Sequence, residues 1–211
     1  MRGQFITLEG PDGSGKSTIL KLIENYLKDK GIEFITTREP GGTKIGEKIR
    51  HIILDNDNTN MGGETEALLY AAARAQHVHE KIIPALEEGK VVICDRFTLS
   101  SLAYQGVGRD LGIQRVKDIN DFAIRGIYPD LILFFHVNPE VTLGRKIGKN
   151  SADRLELEGN EFHKKVYEGY MKLLDMYPKN IKIIDASKSI DEVFKQSIEA
   201  IETLLDRGSD L

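Results

Sequence analysis

The stretch Gly10-Pro11-Asp12-Gly13-Ser14-Gly15-Lys16-Ser17-Thr18 constrains this chain more than any other feature. It satisfies the spacing G-x-x-x-x-G-K-[ST], follows an apolar run from Phe5 to Leu8, and leads into Ile19, Leu20, Ile23 and Leu27, a stripe at helical spacing. Strand, loop and helix in that order give the spacing a mechanism. The glycines let backbone N–H groups turn toward an anion, and the helix N-terminus adds the positive end of its dipole. Lys16 supplies a point charge, and Ser17 offers a hydroxyl to Mg²⁺. A nucleoside triphosphate cradled by residues 10–18 is the inference, against the alternative of a glycine-rich turn that binds nothing.

Apolar runs at Phe34 to Thr37, Val91 to Cys94, Leu131 to Val137 and Ile181 to Ile184 predict four more buried strands. Between them the spacing predicts helices at 44–54, 64–88, 98–105, 114–125, 139–147, 161–175 and 190–206. Strands alternating with helices imply right-handed crossovers and a parallel sheet covered on both faces. The length of 211 residues suits one domain, since domains commonly run to roughly 100–200 residues. Residues 55–63 form a polar loop, and 148–159 a charged one.

Composition excludes several classes. With 40% hydrophobic and 29% charged residues the chain is not disordered, and its net charge of −4 argues against coating nucleic acid. The single cysteine, Cys94, cannot form an internal disulfide, and the start of the sequence is neither a signal peptide nor a membrane span. A reducing cytoplasm is the expected location.

Motors, switches and kinases share the phosphate loop, so a second feature must decide. A GTP switch would carry Asn-Lys-x-Asp, and the dipeptide Asn-Lys occurs nowhere in the sequence. Two aspartates adjoin strands. Asp95 ends the third run, whereas Asp130 precedes the fourth. Ligands of a parallel sheet bind beyond the carboxyl ends of the strands. Asp95 is therefore expected, with Ser17, in the metal shell, unless a salt bridge to Arg96 occupies it, and Asp130 is read as a turn or cap residue.

Arg96, on the rim beside Asp95, is placed to clamp a second phosphate facing the triphosphate. Arg38 closes the second strand, and Arg50 sits in the next helix. Tyr70 and Arg74 are four apart on the long helix, so an aromatic face and a donor fork point the same way. Ser101, Tyr104 and Gln105 repeat the device on another helix. Each group taken alone reads as an ordinary surface cluster or half-buried packing, and its combination with the phosphate loop changes that reading.

Glu9 to Thr18, Thr37-Arg38-Glu39-Pro40-Gly41-Gly42-Thr43, Leu68-Leu69-Tyr70-Ala71-Ala72-Ala73-Arg74, Asp95-Arg96-Phe97, Ser100 to Gly106 and Asp153-Arg154-Leu155-Glu156 together resemble thymidylate kinase of the bacterial type. The resemblance runs from the N-terminus to about residue 200. It implies a nucleoside-monophosphate-kinase-like P-loop fold: a three-layer α/β/α arrangement on a five-stranded parallel sheet. It implies phosphorylation of dTMP to dTDP with ATP and Mg²⁺, a step toward dTTP, and a homodimer. A kinase for another nucleoside monophosphate and a non-catalytic P-loop binding protein are the rival readings.

By the same resemblance Tyr70 would stack on thymine, Arg74 would bond its exocyclic oxygen, and Ser101 and Gln105 would line the base and sugar edge. Tyr104 would crowd the position of a ribose 2′-hydroxyl, Arg50 and Arg96 would hold the acceptor phosphate, and Asp12 would contact the sugar 3′-hydroxyl. Glu39 would approach the metal and phosphates. Lys16 and Arg96 are the expected catalytic cations. Residues 11–14 contain no base, so a further cation is expected from a lid at about 144–160, with Lys149 and Arg154 the candidates. His136 receives no role and is read as a satisfied strand residue.

Overall fold

The computed structural model describes residues 2–138 and 153–209, with side chains to residue 206. The expected strands are present as β1 (Phe5–Glu9), β2 (Phe34–Arg38), β3 (Val91–Asp95), β4 (Leu131–His136) and β5 (Ile181–Asp185). They form one parallel sheet in the order β2-β3-β1-β4-β5. Helices on both faces complete the P-loop α/β/α arrangement.

Side-chain alternation decides which helices each strand meets. Ile6 and Leu8, Val91 and Ile93, and Leu133 and Phe135 point to the face covered by α1 (Lys16–Asp29), where Ile19, Ile23 and Leu27 join the same core. The C-terminal helix over Ile190–Ser209 adds Val193, Ile198 and Ile201 to it. Phe5, Val92 and Cys94 point the other way, onto Val78, Ile82 and Leu86, while Phe134 meets Leu102, Val166 and Tyr170. Each such side chain, fully buried, contributes about 1.5–3 kcal/mol.

The remaining helices are α2 (Lys44–Leu54), α3 (Gly63–His77), α4 (Ile83–Glu87), α5 (Thr98–Ser101), α6 (Ile113–Ile124), α7 (Asn160–Met176) and α8 (Ile190–Ser209). The long helix predicted over 64–88 is not uniform. Between α3 and α4 lies a π-helical segment, Val78–Ile82. Pro84 has no N–H and its ring clashes with the preceding turn, and the wider winding just before it relieves that conflict. The helix predicted over 98–105 likewise starts as α5 and continues as a π-helical segment, Leu102–Gly108. The helix expected at 139–147 lies outside the described residues. No helix among the described residues is long and apolar enough to cross a membrane.

The register brings the functional ends together. Leu8 pairs with Asp95, and Asp95 pairs with Arg38, so β1, β3 and β2 finish on one rim. Asp130 lies at the opposite edge, where its Oδ2 accepts the backbone N–H of Phe5 at 2.7 Å. It is the cap residue that its position before a strand implied.

Gly10 turns the chain off β1 at φ +133°, a conformation closed to residues with a Cβ. A Cβ there would lie 2.6 Å from the carbonyl oxygen of Phe135. Gly10→Ala is therefore expected to lower stability by roughly 2–4 kcal/mol, the combined cost of strain and overpacking, read as the shift in a urea unfolding midpoint.

Candidate active site

The loop of residues 10–15 passes over the rim and ends at Gly15, whose φ of 90° caps α1. Lys16, only 6% exposed, curls back so that its Nζ donates to the carbonyls of Gly10 at 3.0 Å and Pro11 at 2.8 Å, and to Ser14 Oγ at 3.4 Å. Burial, helped by repulsion from Arg96, lowers its pKa to about 8; Asp95, Asp12 and Glu9 pull the other way. Ser14 N–H bonds the carbonyl of Pro11, and Thr18 N–H that of Gly15. Gly13 adopts φ 78°.

Beside the loop opens a cavity of about 320 Å³. The loop side of its lining holds Asp12, Ser17 and Asp95; the arginines Arg38, Arg50, Arg74 and Arg96 also face it. Tyr70, Ser101, Tyr104, Gln105 and Glu39 complete the predicted set. Residues from six separate stretches of sequence thus line one space.

Arg96 stands at its centre, in a left-handed conformation at φ 69° that a non-glycine residue adopts at a cost of about 1–3 kcal/mol. Several bonds hold it there. Its Nη2 donates to Asp12 Oδ1 at 2.6 Å, and its Nη1 to Ser100 Oγ at 3.0 Å and Tyr170 Oη at 3.1 Å. Tyr104 donates its hydroxyl to the other oxygen of Asp12 at 2.9 Å, and the Arg96 guanidinium lies 5.3 Å from the Tyr104 ring centre. The salt bridge weighed for Asp95 and Arg96 is absent from this arrangement. Asp95 Oδ1 is instead buried without a hydrogen-bond partner among the described residues.

Beneath Arg96 lies a carboxylate that sequence reasoning gave no role. Glu9 is wholly buried at the end of β1, where its Oε1 accepts Phe97 N–H at 2.8 Å and its Oε2 accepts Ser100 O–H at 2.5 Å. Burial pushes its pKa up, against the bond from Ser100 and the charge of Arg96. An acid closing an otherwise apolar strand immediately before the phosphate loop was the available signal. Ser100 and Tyr170 offered none, because they meet only through the fold.

Arg74, 1% exposed, is held on all sides. Its Nε donates to Glu39 Oε2 at 2.6 Å, its Nη1 to Ser101 Oγ at 3.0 Å and to Asn120, and its Nη2 to the Phe97 carbonyl at 3.1 Å. Among the described residues one Nη2 N–H of the five has no partner, and Arg74 lines the cavity. Glu39 also meets Nδ1 of His77 at 2.8 Å, whose Nε2 lies 2.7 Å from Thr37 Oγ1. The carboxylate expected near metal and phosphates is thus committed to Arg74 and His77. Arg50 Nη1 donates to the Pro40 carbonyl at 2.9 Å.

The two lid candidates fare differently. Lys149 lies outside the described residues. Arg154, expected over the transferring group, is 7% exposed and bonded elsewhere: Nε to the Ile53 carbonyl at 2.8 Å and Nη2 to Glu66 Oε2 at 2.6 Å. Charge in a loop predicts a cation but not its partner. His136 Nε2 lies 3.0 Å from Tyr167 Oη, and the two rings stack.

A phosphate loop at a sheet rim facing an arginine-lined cavity narrows the fold's many uses to a few, and comparison with known proteins decides among them. A family model described as thymidylate kinase matches residues 8–197. The chain belongs to the thymidylate kinase family. It is similar to the thymidylate kinase of Finegoldia magna, 60% identical over 198 residues that cover 94% of this chain and 97% of the relative. The thymidylate kinase of Clostridium novyi is 57% identical over 198 residues, covering 92% and 96%, and that of a Geobacillus species 51% over 203, covering 95% and 97%. The tie between Arg74 and Glu39 fixes one wall of the cavity. Glu39→Ala strands a buried guanidinium and is expected to cost about 3 kcal/mol, seen as a lower melting temperature.

Proposed function

We propose that this protein transfers the γ-phosphoryl group of ATP to dTMP, yielding ADP and dTDP. The observation that carries the reading is the single rim on which the phosphate loop and the cavity of Tyr70, Arg74 and Arg96 face each other. Gly10 to Thr18 hold the triphosphate, with Lys16 as its point charge. Arg96 and Arg50 take the acceptor phosphate, while Asp12 and Tyr104 define the sugar edge. Tyr70 stacks on the base, Arg74 offers its remaining N–H to the base's exocyclic oxygen, and Ser101 and Gln105 close the edge. Glu39 serves the acceptor site through Arg74.

An oxygen of the dTMP phosphate bonds to the γ-phosphorus as the bond from that phosphorus to the β–γ bridging oxygen breaks, and ADP leaves. The acceptor phosphate has a second pKa of about 6, so it is mostly dianionic near neutrality and no general base is required. The obstacle is repulsion between two anions brought in line, which positioning and fixed positive charge relieve. Lys16, the loop N–H groups and Arg96 do this. The Oδ1 of Asp95, buried and without a partner among the described residues, lines the same cavity as Ser17 and fits a hard cation, directly or through water. Mg²⁺ there would neutralise charge on the triphosphate oxygens.

Charge from the lid, including Lys149, belongs to the same proposal, with Arg154 tying the lid's end to Glu66. We also read the chain as one domain acting in the cytoplasm and pairing as a homodimer, for which exposed Ile45 and Ile52 on α2 and Leu68 on α3 offer apolar surface.

ADP release with ATP and Mg²⁺ against dTMP, dUMP, dCMP, dGMP and UMP tests the reading. Turnover is expected to be greatest with dTMP. A preference for another monophosphate would move the assignment to that nucleotide, and no turnover with any of them would leave a binding protein. The buried Lys16 amine generates a second expectation. As pH rises through about 8 in the unliganded protein the ammonium is lost, so kcat/KM for ATP should fall about tenfold between pH 7 and 9, measured from initial rates at limiting ATP.

A further inference from the structure

The face of α3 that presents Tyr70 and Arg74 also carries Glu66, one turn earlier, and that carboxylate has no part in the chemistry above. It is wholly buried. Its Oε1 accepts from Gln105 Nε2 at 2.9 Å and Arg109 Nε at 3.3 Å, and its Oε2 from Arg109 Nη2 at 3.0 Å and Arg154 Nη2 at 2.6 Å. Burial would raise its pKa, yet the bonds from Arg109, Gln105 and Arg154 bring it below the usual carboxylate value. Glu66 is therefore ionised and can only accept.

That restriction propagates to Gln105. An amide has a donor end and an acceptor end, and only the donor end can face a carboxylate. Gln105 is 1% exposed and lines the cavity; its Oε1 is buried with no hydrogen-bond partner among the described residues. A buried acceptor left unmatched is costly unless a ligand donates to it. The groups in the cavity that could read a base thus differ in sense: Arg74 has a donor left over, whereas Gln105 offers an acceptor.

We propose that Glu66 is a positioning residue that sets base specificity: it locks the amide of Gln105 with Oε1 as an acceptor for the ring N–H of a thymine- or uracil-type imide. This rests on, and deepens, the reading of the cavity as the site of a pyrimidine monophosphate. Cytosine carries a bare nitrogen acceptor at the same ring position. Facing Gln105 Oε1, its lone pair meets another, and two buried acceptors go unmatched, a mismatch that discriminates far more strongly than shape alone. The same carboxylate also anchors Arg154, and Arg109 reaches on to Glu158 at 2.5 Å. Residues 153–158 therefore close on the side chain that orients the base reader.

The test uses the full-length protein and compares dissociation constants for dTMP and dCMP by calorimetry in the wild type, Glu66→Gln and Glu66→Asp. An amide at position 66 can donate to Gln105 Oε1 and let Gln105 turn its NH₂ toward the cavity. The ratio of the dCMP to the dTMP constant should then fall about tenfold. Aspartate keeps an acceptor-only group and should leave the ratio within about twofold of wild type. An unchanged ratio in Glu66→Gln, or an equal shift in both variants, would overturn the proposal. A measurement on the wild type does not depend on either variant folding: with dTMP labelled at its ring N3 with nitrogen-15, the bound imino proton should be visible by NMR and protected from water. Rapid exchange of that proton would also overturn it. A wild type that bound neither nucleotide would instead remove the parent reading of the cavity.

Discussion

Positive charge gathered in a poorly solvated cavity repels itself, and the site depends on how that repulsion is contained. In the cavity Arg96 is set against Asp12 and Arg74 against Glu39, and next to it Arg109 and Arg154 are set against Glu66, whereas Arg50 and Lys16 are held by backbone carbonyls. The pairs differ in what they free. Asp12 is partly exposed and holds Arg96 from the cavity side, so a ligand can compete for that guanidinium. Glu39 and Glu66 are buried, and the bonds they accept from their arginines fix the direction of the donors that remain. Removing one member of such a buried pair is costly, because the other cannot recover its hydration. The cavity wall is therefore stiff where a base would be read and exchangeable where a phosphate would be gripped.

Most of this frame was legible from local sequence. The phosphate loop follows from nine consecutive residues and their strand–helix context, and the five strands from short apolar runs. The opposite placements of Asp95 and Asp130 follow from which end of a strand each occupies. Tyr70 with Arg74, and Ser101 with Gln105, were readable because helical spacing puts them on one face. The long-range pairings were not legible. Glu9 meets Ser100 across ninety-one positions, and Glu66 meets Arg154 across eighty-eight, and no periodicity encodes either. Arg154 shows the limit: a charged loop predicts a cation, whereas the partner depends on how 153–158 packs against the end of α2 and on α3. The π-helical segments escaped for a related reason, since apolar spacing continues through Val78–Ile82 while the backbone changes its hydrogen bonding to accommodate Pro84.

The strained backbone at Arg96 connects the frame to the chemistry. A residue with φ near +69° turns its side chain back across the rim instead of following β3 outward, and this brings the guanidinium against Asp12 and under the phosphate loop. The strain is tolerated because the turn is fixed at several points. Arg96 N–H bonds the Leu8 carbonyl, its own carbonyl accepts from Cys94 Sγ, and Glu9 accepts the next N–H, that of Phe97. Glu9 thus does from inside the sheet what Asp12 does from the cavity.

Lys16 and Arg96 then divide the electrostatic task according to chemical type. Arginine stays protonated in any protein environment, and its planar fork suits an acceptor phosphate that must be held in one orientation. Lysine can lose its proton when buried, and Lys16 in its desolvated position lies within a pH unit or so of doing so. Its bonds to the carbonyls of Gly10 and Pro11 are made with the loop that it serves, so a triphosphate entering the cradle would exchange neutral acceptors for charged ones and strengthen the ammonium form. A group that is marginal alone and secure with its ligand contributes more to the bound state than one already satisfied. In a reaction whose barrier is repulsion between phosphates, that difference is the physical reason for burying the lysine.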